Sequence, residues 1–269
     1  MRTTMIETPD GPRLAVATTD GWRAAGPAGA TVLDLITDPA LADDLGPVLD
    51  GPLGPLLRPG KIIAIGLNYQ DHIRETGMAA PTAPLMFAKF PSTVSAHDAV
   101  VTVPGSITRR VDWEVELAAV IGRTAKDVPP ARALEHVFGY TVGNDLSARD
   151  LQLADSQWIR GKNLDGFCPL GPEVVTADEL GDPQDLALRT TVNGEVVQDS
   201  RTGEMIFSTA ELVAYCSAHV TLEPGDVILT GTPWGCGEFL PEPRSLADGD
   251  VVECTVEGIG TLRTVIAVR

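Results

Sequence analysis

Val111-Asp112-Trp113-Glu114-Val115-Glu116-Leu117-Ala118-Ala119-Val120-Ile121 starts as an alternating stretch and ends as an apolar one. At strand period two, Trp113, Val115 and Leu117 share one face and Asp112, Glu114 and Glu116 the other, with the two glutamates about 6.5 to 7 Å apart at Cα. From Ala118 to Ile121 both faces are apolar, so the strand runs into a buried environment. A half-solvated strand with an acidic outer face accounts for the first half alone. In the dry surroundings of the second half, two carboxylates about 6 Å apart repel by roughly 3 kcal/mol at an effective dielectric of about 20. A divalent cation reverses that sign. Carboxylate oxygens are hard donors suited to Mg2+, Mn2+ or Ca2+, although two of them are too few to fix a catalytic ion.

Outward from this stretch the chain reads mostly as short strands: Ile62 to Gly66, Leu85 to Lys89, Ala99 to Val103, Tyr140 to Val142, Leu188 to Val197, Val227 to Thr230, Val251 to Val256 and Thr261 to Val268. Asn193-Gly194, Pro224-Gly225-Asp226 and Asp248-Gly249-Asp250 are turn signals that favour hairpins. Two helices are expected among them. One follows Ser147 as its N-cap, and the other starts at Ser208, where Glu211 completes a capping box ahead of Leu212, Val213 and Tyr215. Regular βαβ alternation is missing, which argues against a doubly wound sheet. Upstream lie a strand over Arg13 to Thr18, a turn at Asp20-Gly21 and a short apolar helix around Leu41 to Leu49. The Pro- and Gly-rich stretches Gly51 to Pro55 and Arg58 to Gly60 place a boundary near Pro59, giving a small N-terminal domain, 1–59, and a larger β-rich one, 60–269.

A chain of 269 residues with 43% hydrophobic content has enough material for a large core. Its 20 basic and 37 acidic residues leave a formal charge of -17, which repels nucleic acid and anionic membrane surfaces. The same field repels an acidic substrate, so an enzyme acting on carboxylates needs local positive charge, from a cation or from aimed Lys and Arg. Met1 to Gly21 lacks the pattern of a secretion signal, and no run of about 18 apolar residues suggests a membrane span. Cys168, Cys216, Cys236 and Cys254 show neither C-x-x-C spacing nor a disulfide framework, and read as reduced thiols of a cytoplasmic protein.

Asp145 lies where the apolar strand of Tyr140 to Val142 gives way to a helix, a position that taken alone suits an ordinary turn aspartate better than a displayed functional carboxylate. His72 and Glu75 stand at i and i+3 on one helical face, where a carboxylate can orient an imidazole. Arg149 and Gln152 share that spacing after Asp145. The glycine-rich stretch Thr230 to Gly237 fits neither a P-loop nor a dinucleotide fingerprint. His97, His136 and His219 have no comparable neighbours and read as structural.

Taken in order, Gly66 to Glu75, Phe87-Ala88-Lys89-Phe90-Pro91-Ser92, Glu114 to Leu117, Asp145 to Gln152, Arg160-Gly161-Lys162, Met205-Ile206-Phe207 and Thr230-Gly231-Thr232-Pro233 resemble the fumarylacetoacetate hydrolase superfamily. The resemblance implies an α+β, β-rich fold, a mixed β-sandwich roll of the C-terminal type of that family, assembled as a homodimer. It implies Mg2+ or Mn2+ held by Glu114, Glu116 and Asp145, with His72 and Glu75 as a lid dyad that activates water. Lys162 would stabilise an enolate oxygen, and Tyr69, Arg149, Gln152 and Thr232 would bind substrate. The implied reaction is hydrolytic carbon–carbon cleavage of a small 1,3-dicarbonyl or 2-oxo acid of acylpyruvate or fumarylpyruvate type. Decarboxylation of oxaloacetate-like acids or isomerisation of 2-hydroxyhepta-2,4-diene-1,7-dioate-like acids is the alternative, and a non-catalytic metal-stabilised binding module is the reading from another class. Trp234 and Cys236 stand where relatives tend to carry smaller or aliphatic residues, which bears on substrate shape.

Overall fold

A computed structural model describes residues 1–269. Two sheets dominate it, one of 11 strands and one of 5. The strand that decides the fold, Val115–Ile121, lies inside the larger sheet, between Val137–Asn144 and Val227–Leu229. Its alternation separates two cores: Leu117, Ala119 and Ile121 belong to one cluster, Ala118 and Val120 to the other. The first cluster fills the space between the sheets, where these residues meet Leu188 and Val192 of Ala187–Val192, Val252 and Cys254 of Val251–Val256, and Leu262 of Gly260–Val268. That face-to-face packing makes the sandwich.

The second cluster lies on the opposite face and includes Met5, Leu14, Val32, Leu35 and Leu57 of the N-terminal segment. Strands Arg2–Thr8, Gly11–Thr18, Gly21–Ala25 and Leu45–Val48 extend the same large sheet, joined to it through Arg2 opposite Val175. The apolar helix expected around Leu41 to Leu49 is absent. Residues 39–42 form a single 3-10 turn led by Pro39, and Leu45–Val48 pairs with Gly21–Ala25, whose partners outweigh local helix preference. The helix here is instead Val32–Thr37, capped by a Thr31/Asp34 box.

Strand Cys168–Thr176 is central to the sheet yet carries Pro169, Gly171 and Pro172, which hide it from a propensity reading. The register shifts between Tyr140 and Val142, so the partner's extra residues form a bulge that accommodates the proline. Helix Thr209–His219 carries the expected capping box. The helix after Asp145 starts later than expected. Ser147 is not its N-cap but sits in a short strand, Ser147–Ala148, paired with Val111–Asp112, and its hydroxyl donates to the Asp145 carbonyl. Helix Arg149–Ala154 follows without a side-chain cap. Beyond edge strand Leu85–Lys89 the sheet curls back, because Val94–Ser95 pairs in parallel with Cys168–Pro169. No helix of the structure is long and apolar enough to cross a membrane.

Candidate active site

The antiparallel pair that brings Val115 opposite Asn144 and Glu116 opposite Gly143 juxtaposes the start of one strand and the end of the next. Glu114, Glu116 and Asp145 therefore meet, all buried, with ligating oxygens within 4.8 Å of one another. Backbone donors and acceptors pin them. Gly231 N–H donates to Glu116 Oε2 at 2.6 Å, Glu114 N–H donates to Asn144 Oδ1 at 3.1 Å, and Asp145 N–H donates to the Glu114 carbonyl at 2.9 Å.

Three buried cations answer these carboxylates. Lys162 Nζ bridges Glu114 Oε2 and Asp145 Oδ2 at 2.7 Å each. Lys89 Nζ reaches Asp145 Oδ1 at 2.5 Å and also donates to the Lys162 carbonyl. Arg149 spans Asp112 and Glu114, at 2.7 Å from each, and its Nη1 also donates to Gln152 Oε1 at 2.9 Å. Four carboxylates (Asp112, Glu114, Glu116 and Asp145) thus face three cations. The excess shows on Glu116: burial, then the charges of Asp145 and Glu114, push its carboxyl well above the usual range. Burial acts in the same direction on Glu114, but Lys162 and Arg149 outweigh it and hold that carboxyl at about 2. Burial lowers the acidity range of the Lys162 ammonium, yet Asp145 and Glu114 more than reverse this and keep it charged.

His72 and Glu75 lie on helix Gln70–Thr76, with Nδ1 to Oε2 at 2.8 Å. The other Glu75 oxygen accepts from Gly235 N–H at 2.8 Å, and the Gly235 carbonyl accepts from the Trp113 indole at 3.0 Å. Gly235 has φ +94°, and a Cβ there would overlap the Val197 carbonyl, so only glycine fits. Thr232 Oγ1 accepts from Gln198 Nε2 at 3.0 Å, which leaves its hydroxyl hydrogen free to donate.

A cavity of about 300 Å³ opens onto this centre. Glu114, Lys162, Arg149, Gln152, His72 and Thr232 reach it, whereas Glu116, Asp145, Glu75 and Tyr69 are not among its lining side chains. Tyr69 is fully buried, its hydroxyl without a hydrogen-bond partner. Phe239 flanks both His72, at 5.3 Å between ring centroids, and Arg149, at 5.6 Å. His97, His136 and His219 bond to Arg263 N–H and to the carbonyls of Thr124 and Tyr215, outside the cavity.

Sequence reasoning gave no role to Lys89, Gln198 or Phe239 and read Asp112 only as part of an acidic face. Asp112 clamps Arg149 and accepts from Gly237 N–H at 2.7 Å, tying the glycine-rich loop to the site. The available signal for Lys89 was a lysine closing the apolar run Leu85-Met86-Phe87-Ala88. Trp234 is exposed, its indole donating to the Asp199 carbonyl, while Cys236 is buried and its thiol pushed well up by burial.

The fit to a divalent cation rests on the donor set: three hard carboxylates, buried and convergent, short of one positive charge. The Lys162 ammonium, seated between two of them, marks where positive charge is demanded.

The family profile described as "Fumarylacetoacetate (FAA) hydrolase C-terminal" matches residues 61–267. A mitochondrial oxaloacetate tautomerase of Bos taurus is 47% identical over 213 residues, covering 78% of this chain and 67% of that protein. Among solved structures, a 5-carboxymethyl-2-hydroxymuconate delta-isomerase from Mycobacterium smegmatis is 42% identical with TM-score 0.83, covering 100% of this chain and 99% of the other. A fumarylacetoacetate hydrolase from Exiguobacterium antarcticum is 37% identical with TM-score 0.90, covering 100% of both chains. Of these three relatives one is named a tautomerase, one an isomerase and one a hydrolase. With the profile spanning most of its length, this chain belongs to the fumarylacetoacetate hydrolase family.

Proposed function

We propose that the chain is a metal-assisted enzyme of enolate chemistry on a small 2-oxo acid, isomerising, tautomerising or decarboxylating an oxaloacetate-type substrate. The observation that carries this reading is the convergence of Glu114, Glu116 and Asp145 in a buried cluster one positive charge short of balance. These three residues would hold Mg2+ or Mn2+, which supplies Lewis-acid polarisation of the 2-oxo carbonyl and stabilises negative charge on its oxygen. With Nδ1 committed to Glu75, His72 has Nε2 left to take or return the proton on the carbon beside the carbonyl. The Thr232 hydroxyl donates to the substrate carboxylate, and the Gln152 amide, its oxygen held by Arg149, offers its N–H groups to the cavity. Arg149 and Lys162 act first by holding Glu114 and Asp145 in place. Phe239 excludes water from the His72 side.

Hydrolytic cleavage of an acylpyruvate is the second reading. It is favoured by the His72–Glu75 pair, whose geometry equally suits deprotonation of a water. The two are separated by following enol absorbance of oxaloacetate and of acylpyruvates with Mg2+ and with chelator. On the leading reading oxaloacetate turns over and His72→Ala slows proton transfer, while Asp145→Ala abolishes all metal-dependent turnover. Normal turnover by Asp145→Ala removes that residue from the ligand set, and a metal-dependent melt with no turnover of any acid favours a binding module.

The homodimer is supported by the free edge of Leu85–Lys89, where Leu85, Met86 and the following Phe90 are exposed. Residues 1–59 are the small N-terminal domain of this proposal, although they share the large sheet and the second core with the rest of the chain. Four unpaired, buried cysteines support a reducing compartment such as the cytoplasm.

A further inference from the structure

The cavity has two chemically distinct ends. Its floor is buried and charged, with Glu114, Lys162, Arg149 and His72. Its mouth is apolar: Met78 and Leu153 are 50% and 60% exposed, and Phe87 and Trp158 stack edge to face at 5.3 Å. Trp158 is fixed there because it lies against the backbone of Gly66, where a Cβ would overlap its ring. The one charged side chain among the mouth residues is an anion, Asp155, which binds both Nε and Nη2 of Arg160 at 2.6 and 2.7 Å. Every lining cation is committed to a buried carboxylate, and Arg74, on the helix that carries His72, is paired with Glu204 at 2.8 Å.

We propose that this site selects 2-oxo acids whose tail beyond the reacting carbons is short or uncharged, and discriminates against long-chain diacids such as 2-hydroxyhepta-2,4-diene-1,7-dioate. The inference rests on the proposed 2-oxo acid reading and names its substrate class. A carboxylate at the end of a long tail would leave water for an apolar wall and the closed Asp155–Arg160 ion pair, with no unpaired cation to receive it. A methyl group in the same place gains burial. The formal charge of -17 adds to the discrimination at long range. In a short oxo acid such as oxaloacetate, both carboxylates stay at the charged floor.

The test is a matched pair, 2-oxoheptanoate and 2-oxoheptanedioate, which differ at the far carbon by a methyl against a carboxylate. Their binding to the full chain in Mg2+ is measured by calorimetry, with turnover of oxaloacetate measured separately. The neutral-tailed acid is expected to bind on the order of tenfold tighter, from one buried methyl and the avoided desolvation of a carboxylate that finds no unpaired cation. Asp155→Asn, which removes the anion and frees Arg160, narrows the gap. Leu153→Arg, at an exposed position where folding is not at risk, reverses it. Equal or tighter binding of the diacid by the unaltered protein overturns the inference. So does binding of neither acid, or an unchanged preference in Leu153→Arg, since the tail would then not reach the mouth. Loss of oxaloacetate turnover alongside an intact preference strikes the reaction instead and leaves the tail selectivity standing.

Discussion

Replacing Lys89 with Met tests the charge arrangement directly, because Lys89 touches no lining surface of the cavity yet neutralises Asp145 from behind. Both side chains are fully buried, at 2.5 Å. Removing one member of a buried ion pair costs about 3 to 5 kcal/mol, because the other charge is left without its partner. Asp145 keeps Lys162 at 2.7 Å, which places the expected loss at the lower end, about 3 kcal/mol. For a chain of this size that is a fall of roughly 6 to 12 °C in Tm. The loss is expected in chelator and largely recovered in saturating Mg2+, since a divalent ion supplies the charge that the ammonium had carried. Thermal melts of the variant and the parent with EDTA and with Mg2+ read both quantities. The metal-induced rise in Tm should therefore be larger in the variant than in the parent. An equal loss in both conditions would mean that Lys89 acts by packing alone. No loss at all would mean that Asp145 is not held as an anion, and the count of charges around the centre would be wrong.

Stability against pH in chelator carries two opposite signatures. Glu114, held at about 2 after burial is outweighed by Lys162 and Arg149, contributes stability that is present above the ordinary carboxylate range and is lost as pH falls toward 2, about 3 kcal/mol in all. Glu116, raised by burial and its carboxylate neighbours, does the reverse: its contribution is full below the ordinary range and declines as pH rises toward the shifted value. Glu116→Gln should flatten that decline in chelator and remove the Mg2+-induced rise in Tm, and a parent protein whose chelated stability climbs steadily from pH 5 to 8 would contradict the assignment. Trp113→Phe keeps an aromatic side chain but removes the indole N–H, and leaving the buried Gly235 carbonyl without its donor costs about 1 to 3 kcal/mol, to which the smaller ring adds a packing loss. Because Gly235 also holds Glu75, kcat should fall more than KM changes, and a variant impaired only in KM would break that link. Gly235→Ala should be worse than Trp113→Phe in both melting and kcat, since its Cβ has no room beside the Val197 carbonyl.

The site was legible where it depends on local period. Glu114, just ahead of strand Val115–Ile121, and Glu116 within it converge as the period-two reading expected although the strand breaks at Trp113 and Glu114, and the apolar tail told that they are buried. The capping box at Ser208 and the turn at Asn193-Gly194, where both residues have positive φ, were equally local. What escaped was non-local. Ser147 looks like a cap because a helix follows, but its backbone is claimed by Val111–Asp112, a pairing that no window around residue 147 contains. Strand Cys168–Thr176 was hidden by prolines that only its bulged register excuses. Lys89 meets Asp145 across 56 residues because the sheet curls, and curl is set by the pairing of Val94–Ser95 with Cys168–Pro169 rather than by any residue near Lys89.

The shortfall of one positive charge joins the metal to the sign of the substrate. Had the fold supplied a fourth cation beside Glu116, the cluster would be neutral and a divalent ion would be repelled as strongly as it is attracted. With three, the ionised cluster carries one net negative charge, and a divalent ion turns that into one net positive charge. A buried site with net positive charge favours an anionic head, such as the carboxylate of a 2-oxo acid. That is how a chain of formal charge -17 attracts an acid at all: the field outside repels it, and the inverted charge at the cavity floor receives it. When an enolate forms, the bound head gains negative charge at the place the cluster is arranged to stabilise, so the imbalance that penalises Glu116 in the metal-free protein is the same one that favours the transition state.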